Sequence, residues 1–151
     1  MNARALLAAV AIGLAAAPAA RAEEVRRLFD GKSLDGWKAL DMSYWSVRDG
    51  AITGESTPAN PCKSNQFLVW QGGDLGDFDL RLKFRVKGNG GNSGVQIRSV
   101  LRPDGLAVGY QADIFQGGPY LGGVCDELHK RKGPELLSAN GMKTVIDAKG
   151  K

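Results

Sequence analysis

The chain has 151 residues, of which 43% are hydrophobic and 24% charged, and its formal net charge is +4. This length suits one domain with a core of its own. Charges of both signs are mixed along the chain, whereas nucleic-acid binders usually show a concentrated basic face, so we predict no nucleic-acid partner.

The N-terminus has the pattern of a secretory signal peptide. An arginine precedes the small and apolar residues 5–17, and Ala20-Arg21-Ala22 is the small-x-small pattern that signal peptidase recognises. We therefore predict a signal peptide over residues 1–22, cleaved between Ala22 and Glu23, and a periplasmic or extracellular domain over residues 23–151. The apolar run is shorter than the ~20 residues that span a bilayer, so no membrane contact is expected after cleavage.

Short segments with two-residue alternation, separated by glycines, predict an all-β domain of the sandwich or barrel type. In chain order the predicted strands are residues 44–48, 51–53, 66–70, 78–86, 92–99, 108–114, 120–128 and 142–147. A loop is predicted over residues 55–64, where prolines interrupt a polar stretch.

Two of these predictions have a specific chemical reason. Asp49-Gly50 tolerates the positive φ angles of a tight type I′ turn, so it should join the first two strands as a hairpin. In residues 78–86 the apolar side chains alternate strictly with charged ones, which predicts a half-buried antiparallel strand packed on a second sheet.

Cys62 and Cys125 are the two cysteines of the chain. Export permits a disulfide, but pairing requires Cα atoms within about 7 Å. A bridge and two separate thiols are therefore both open, and the spacing matches no zinc motif.

Two neighbouring strands carry a polar face. Gln96 and Arg98 alternate with apolar residues, as do Gln111 and Asp113, and a hairpin through residues 101–107 would set the two faces side by side. Arg98 would then orient Asp113 through a two-pronged bond, and the four side chains would form a hydrogen-bonding floor for a hydroxyl-rich ligand. The alternative is a solvated outer face with an ordinary ion pair.

A second candidate group combines Asp126, Glu127 and His129, the single histidine of the chain. Histidine beside carboxylates can act as a general acid or base near neutral pH. The same groups could offer ligands to a divalent metal, although they match no specific signature, so no cofactor is assigned. A solvated loop histidine is the competing interpretation.

Aromatic side chains could add a stacking surface for sugar rings. One or two are expected to do so while the others belong to the core. The candidates are Trp37, Trp45, Trp70, Tyr110 and Tyr120.

Several ordered motifs resemble the 3-keto-disaccharide hydrolase domain family. The motifs are Leu28-Phe29-Asp30-Gly31-Lys32-Ser33-Leu34-Asp35-Gly36-Trp37, Gly91-Asn92-Ser93-Gly94-Val95-Gln96-Ile97-Arg98-Ser99 and Gly109-Tyr110-Gln111-Ala112-Asp113-Ile114. The resemblance implies a concanavalin-like jelly-roll β-sandwich whose concave sheet binds a small carbohydrate. Domains of this family are longer, so their last strands are expected beyond the end of this sequence.

The activity that the resemblance implies is cleavage of the glycosidic bond of a 3-keto-glycoside or 3-keto-disaccharide by elimination and hydration. A ketone at C3 acidifies the hydrogen at C2, so a base can remove it while the C1 substituent leaves and water adds back. We expect Asp113 or Glu127 to be the base, Arg98 to contact the ketone and His129 to be the acid. The expected substrate-binding residues are Asn92, Gln96, Arg98 and Gln111.

Two other functions compete with this enzyme. One is a non-catalytic carbohydrate-binding domain on the same fold, because a fold does not determine a function. The other is an interaction domain without sugar chemistry, which the polar face disfavours.

Overall fold

The computed structural model describes residues 25–88, 91–128 and 133–145, and the proposed signal peptide lies outside them. Across these residues the chain is all-β, as predicted, with one short 3₁₀ turn at Met42–Tyr44. The strands are β1 (Trp37–Lys38), β2 (Trp45–Arg48), β3 (Ala51–Gly54), β4 (Val69–Trp70), β5 (Asn92–Leu101), β6 (Ala107–Phe115), β7 (Val124–Glu127) and β8 (Leu136–Ser138). No helix in these ranges is long and apolar enough to cross a membrane.

The strands form antiparallel sheets, consistent with the predicted jelly-roll sandwich. β1 pairs with β4, β2 pairs with β3, and the remaining four strands form one sheet in the order β5-β6-β7-β8. The four-stranded sheet contains the most deeply buried side chains of the described residues, and they lie on its two central strands. These side chains are Ala107, Val108, Asp113, Ile114, Cys125, Asp126 and Glu127.

The hairpin predicted at Asp49-Gly50 is confirmed. β2 and β3 pair antiparallel, with Arg48 opposite Ala51 beside the turn and Trp45 opposite Gly54 at the far end. Asp49 and Gly50 have φ angles of 51° and 71°, as a type I′ turn requires.

We expect Gly50→Ala to lower the free energy of unfolding by about 1–2 kcal/mol, because a Cβ is strained in the left-handed region. The nearest atom that a new Cβ would meet is the Gly31 carbonyl oxygen at 3.8 Å, so conformational strain is the main expected cause. Urea denaturation measures the loss. Gly50→Asn is the matched control and should lose less, because asparagine tolerates this conformation. Equal losses for both variants would contradict the explanation.

The strand predicted over residues 78–86 is wrong. This segment forms no strand, and its apolar side chains are 40–56% exposed at Phe78, Leu80, Leu82 and Phe84. Alternation predicts which side chains share a face, but a strand also needs a neighbour for its backbone hydrogen bonds, and no described segment pairs with this one.

Other strand predictions need smaller corrections. Residues 66–70 and 120–128 contain only the short strands β4 and β7. Residues 142–145 form no strand, and the last strand is instead β8, whose sequence Leu-Leu-Ser has no alternation to reveal it. The long strands β5 and β6 and the loop over residues 55–64 are confirmed.

Candidate functional site

A cleft of about 260 Å³ lies on one face of the four-stranded sheet. The register explains which side chains reach it. Gln111 pairs with Gln96 on one side and with Cys125 on the other, while Gly94 is opposite Asp113. Opposed residues of antiparallel strands share a face, so these residues lie together. The cleft is lined by Asn92, Gln111, Asp113, Phe115, Tyr120, Cys125, Glu127 and Glu135.

Asp113 is the central carboxylate of this cleft and only 6% exposed. Its Oδ2 accepts a hydrogen bond from the Cys125 thiol, with a sulfur–oxygen distance of 3.5 Å. Its Oδ1 is buried without a hydrogen-bond partner in the described part of the chain. A buried polar atom left without a partner is costly, and such atoms concentrate at sites built for function.

Gly94 leaves room for the Gln111 side chain in the hydrogen-bonding floor of the cleft. A Cβ at this position would collide with Cγ of Gln111 and lie 2.5 Å from its Cδ. The Gln111 side chain therefore occupies the space above Gly94, beside Asp113. A glycine inside a strand often marks such a close approach.

Glu127 is the second buried carboxylate of the cleft and is 8% exposed. The Asn65 side-chain amide donates a hydrogen bond of 2.6 Å to Glu127 Oε1. This bond ties the loop before β4 to β7 and orients the carboxylate. Two buried carboxylates in one cleft allow one group to accept a proton while another delivers one.

The Cys125 thiol is held in its protonated form. Burial, followed by the negative charge of Asp113, raises the pKa of Cys125 to about 12. At neutral pH the thiol therefore keeps its proton and remains a hydrogen-bond donor to Asp113. Cys62 and Cys125 are not bridged, which answers the question that the sequence left open.

At pH 8 we expect the native chain to react with iodoacetamide at Cys62 alone, because the thiolate is the reactive form and Cys125 is buried as the thiol. Intact-mass spectrometry should show one added group, and two after denaturation. Cys62→Ser should show none in its native state. A second rapid modification of the native chain would contradict the buried thiol.

An aromatic wall borders the cleft. The rings of Phe115 and Tyr120 meet edge to face, with centroids 6.2 Å apart and an interplanar angle of 72°. Of the predicted stacking residues, Tyr120 is the one that lines the cleft. Aromatic faces suit the apolar faces of sugar rings.

Four of the seven predicted site residues meet in this cleft. They are Asn92, Gln111, Asp113 and Glu127. Gln96 lies on the same sheet face beside Gln111, where its Nε2 donates to the Ala107 carbonyl at 3.3 Å, but it does not line the cleft.

The predicted pairing of Arg98 with Asp113 is not formed. Arg98 has a φ of 47°, and the register shifts between Ile97 and Val100. This bulge ends the alternation that placed Arg98 with Gln96, and the exposed guanidinium pairs with Asp77 at 2.5 Å instead.

The grouping of Asp126 with Glu127 is also wrong, because adjacent residues of β7 point to opposite faces of the sheet. His129 lies outside the described residues. Among the residues described, no group of three or more histidine, cysteine, aspartate or glutamate side chains is arranged to hold a metal.

Sequence reasoning missed four contributors to the site, one of which is Phe115 of the aromatic wall. The sequence predicts Cys125 only as a possible disulfide partner, although its alternation with Glu127 indicates that both lie on one face. Glu135 lies just before β8 and Asn65 lies in a loop, so no periodic signal marks either of them.

One comparison with known proteins found a match. The family model described as the 3-keto-alpha-glucoside-1,2-lyase-like domain matches residues 24–146. Neither the curated proteins nor the solved structures gave a significant match.

Proposed function

The chain belongs to the 3-keto-alpha-glucoside-1,2-lyase-like family, and we propose that it cleaves the glycosidic bond of 3-keto-glycosides by elimination followed by hydration. Membership of this family supports a function in carbohydrate chemistry. The observation that carries the proposal is the convergence of Asp113, Glu127 and Gln111 on one cleft with an aromatic wall. At about 260 Å³ the cleft is smaller than the ~300–1,000 Å³ of pockets for drug-sized ligands, so it suits one sugar ring.

Asp113 is the proposed base. Its Oδ1 has no hydrogen-bond partner among the described residues, so its lone pairs are free to accept a proton, whereas Glu127 Oε1 is engaged by Asn65. Asp113 removes the hydrogen at C2, which the C3 ketone acidifies, and the electron pair forms the C1–C2 double bond as the C1–O bond breaks. Cys125 acts as a positioning residue because its thiol donates a hydrogen bond to Oδ2 and so holds the carboxylate in place.

Glu127 is the proposed general acid that protonates the leaving group. It delivers a proton to the leaving oxygen, and water then adds across the double bond, with hydroxyl at C1 and hydrogen at C2. The products are the 3-keto-sugar and the free alcohol. Gln111 and Asn92 supply amide donors and acceptors for the sugar hydroxyls.

The N-terminal pattern motivates one further part of the proposal. The domain works in the periplasm or outside the cell, after cleavage behind Ala22. Antibody detection of a C-terminally tagged chain in periplasmic and cytoplasmic fractions, with mass determination of the mature N-terminus, tests this.

Solvent deuterium tests the elimination. The full chain is incubated with a 3-keto-glucoside in D₂O, and the released sugar is examined by NMR at C2 against the same sugar incubated without protein. Deuterium at C2 above that background supports elimination and hydration. Release with hydrogen retained at C2 would favour direct hydrolysis, and saturable binding without release would favour the carbohydrate-binding alternative.

The role of Glu127 has its own prediction. Glu127→Gln should lower kcat/KM about 100-fold or more for an alkyl 3-keto-glucoside, because alkoxide is a poor leaving group without a proton. The same variant should lose much less activity on the nitrophenyl 3-keto-glucoside, whose leaving group departs as a stable anion. The nitrophenyl substrate is therefore the internal control, and equal losses on both substrates would contradict the assignment.

A further inference from the structure

Asn65 connects the loop before β4 to a carboxylate of the cleft. Its side-chain amide donates a hydrogen bond of 2.6 Å to Glu127 Oε1, although the two residues are 62 positions apart in the sequence. Glu127 is 8% exposed, and a hydrogen bond in such a poorly solvated place is electrostatically stronger than one in water. The bond therefore has a strong influence on the position of the Glu127 carboxylate.

The loop that carries Asn65 is held by hydrogen bonds of its own. The Ser56 hydroxyl accepts from the Cys62 backbone N–H at 2.9 Å, and the Cys62 thiol donates to the Ser64 carbonyl oxygen at 3.0 Å. These bonds involve no residue of the four-stranded sheet, and they order the loop up to the residue before Asn65. An ordered loop thus presents Asn65 to Glu127, so less chain entropy is lost when the contact forms.

The direction of this hydrogen bond restricts where Glu127 carries a proton. The amide N–H is the donor and Oε1 is the acceptor. When Glu127 is protonated, the oxygen that keeps its carbonyl character is the better acceptor of the two. The bond therefore favours Oε1 as the carbonyl oxygen and Oε2 as the hydroxyl oxygen.

We propose that Asn65 is a positioning residue for proton delivery, because its hydrogen bond to Oε1 keeps the transferable proton of Glu127 on Oε2. The inference rests on the proposed role of Glu127 as the general acid. Asn65 cannot be the acid itself, because a side-chain amide does not ionise near neutral pH. It acts on the reaction only through Glu127.

The same hydrogen bond also favours release of the proton. Glu127 becomes a carboxylate as its proton passes from Oε2 to the leaving oxygen, and a hydrogen bond to an ionised acceptor is roughly twice as strong as a neutral one. The bond from Asn65 therefore strengthens as the proton is transferred. Only interactions that strengthen in this way on approach to the transition state accelerate a chemical step.

Two substrates that differ in their need for an acid test the inference on the full chain. Asn65→Ala should lower kcat/KM on an alkyl 3-keto-glucoside up to about 100-fold, the cost of a misplacement of about 1 Å. It should change kcat/KM little on the nitrophenyl 3-keto-glucoside, whose leaving group departs without a proton. Asn65→Gln keeps the amide and should recover part of the loss on the alkyl substrate.

The matched control is Asn60→Ala in the same loop. The Asn60 amide donates to the Ser43 hydroxyl at 2.9 Å and not to a residue of the cleft. Any loss of activity in this variant should be equal on the two substrates, and urea denaturation of both variants measures the loss of stability. Equal losses on the two substrates for Asn65→Ala as well would make Asn65 a structural residue and overturn the inference.

A double variant separates this inference from the proposed function. Added to Glu127→Gln, Asn65→Ala should cause no further loss on the alkyl substrate, because the proton through which Asn65 acts is already absent. A further loss by the same factor as in the unmodified chain would overturn the inference and leave Glu127 as the acid. Equal losses of Glu127→Gln on both substrates, or no release of alcohol by the unmodified chain, would overturn the proposed function and the inference with it.

Discussion

Asp113→Asn is expected to lower kcat on any 3-keto-glucoside about 10²–10⁴-fold, the usual contribution of a general base. The loss should be similar for nitrophenyl and alkyl substrates, because elimination from either one requires removal of the same C2 hydrogen. The folded chain should be as stable as the unmodified one or more so. The carboxylate is buried with one unpartnered oxygen, and an amide of the same shape carries no charge into that environment.

Opposite effects on activity and stability distinguish a catalytic role from a structural one. Initial rates measure the first and urea denaturation the second. Asp74→Asn, which changes an exposed carboxylate that does not line the cleft, should alter neither. If Asp113→Asn destabilised the chain in proportion to its loss of activity, Asp113 would be a structural residue and the base would have to be sought elsewhere.

Gly109→Ala is expected to lower the free energy of unfolding by about 1–3 kcal/mol, the usual cost of overpacking. The bulge at Arg98 and Ser99 packs directly over this glycine. A new Cβ would collide with the Ser99 hydroxyl and lie 2.7 Å from both the Arg98 carbonyl oxygen and Ser99 Cα. Two of these three contacts are with backbone, so a rotamer change cannot relieve them.

The matched control for this substitution is Gly76→Ala. A Cβ at Gly76 would meet no atom within 4 Å, and its φ is not in the left-handed region. This variant should be neutral or slightly stabilising, because alanine restricts the unfolded chain. The urea midpoint should fall for Gly109→Ala at an unchanged m value. Equal stability of the two variants would show that the bulge yields to the added methyl group.

Local chemistry explains which parts of the fold were predictable. The turn at Asp49-Gly50 depends on two adjacent residues, and the long strands β5 and β6 each show alternation over most of their length. The hairpin between β5 and β6 could therefore be predicted, together with the pairing of Gln96 and Gln111 across the two strands. The structure confirms the all-β class, and the family model that matches residues 24–146 confirms the family resemblance.

Features that depend on distant neighbours were not predictable in this way. Alternation in residues 78–86 resembles that of β5, but only β5 has a partner strand among the described residues. The bulge that directs Arg98 away from the cleft has no sequence signal, because arginine rarely adopts a positive φ. Asn65 reaches Glu127 across 62 residues of sequence, a contact that only the folded chain creates.

The pairing of β1 with β4 has a consequence for the order in which the chain folds. Trp37 pairs with Trp70, so residues 39–68 must be closed into a loop before this small sheet can form. Closing a loop costs chain entropy that grows with its length. The β2–β3 hairpin lies inside that loop and shortens its flexible part once formed. Refolding of this half of the chain is therefore expected to begin at the Asp49-Gly50 turn and to finish with the pairing of β1 and β4.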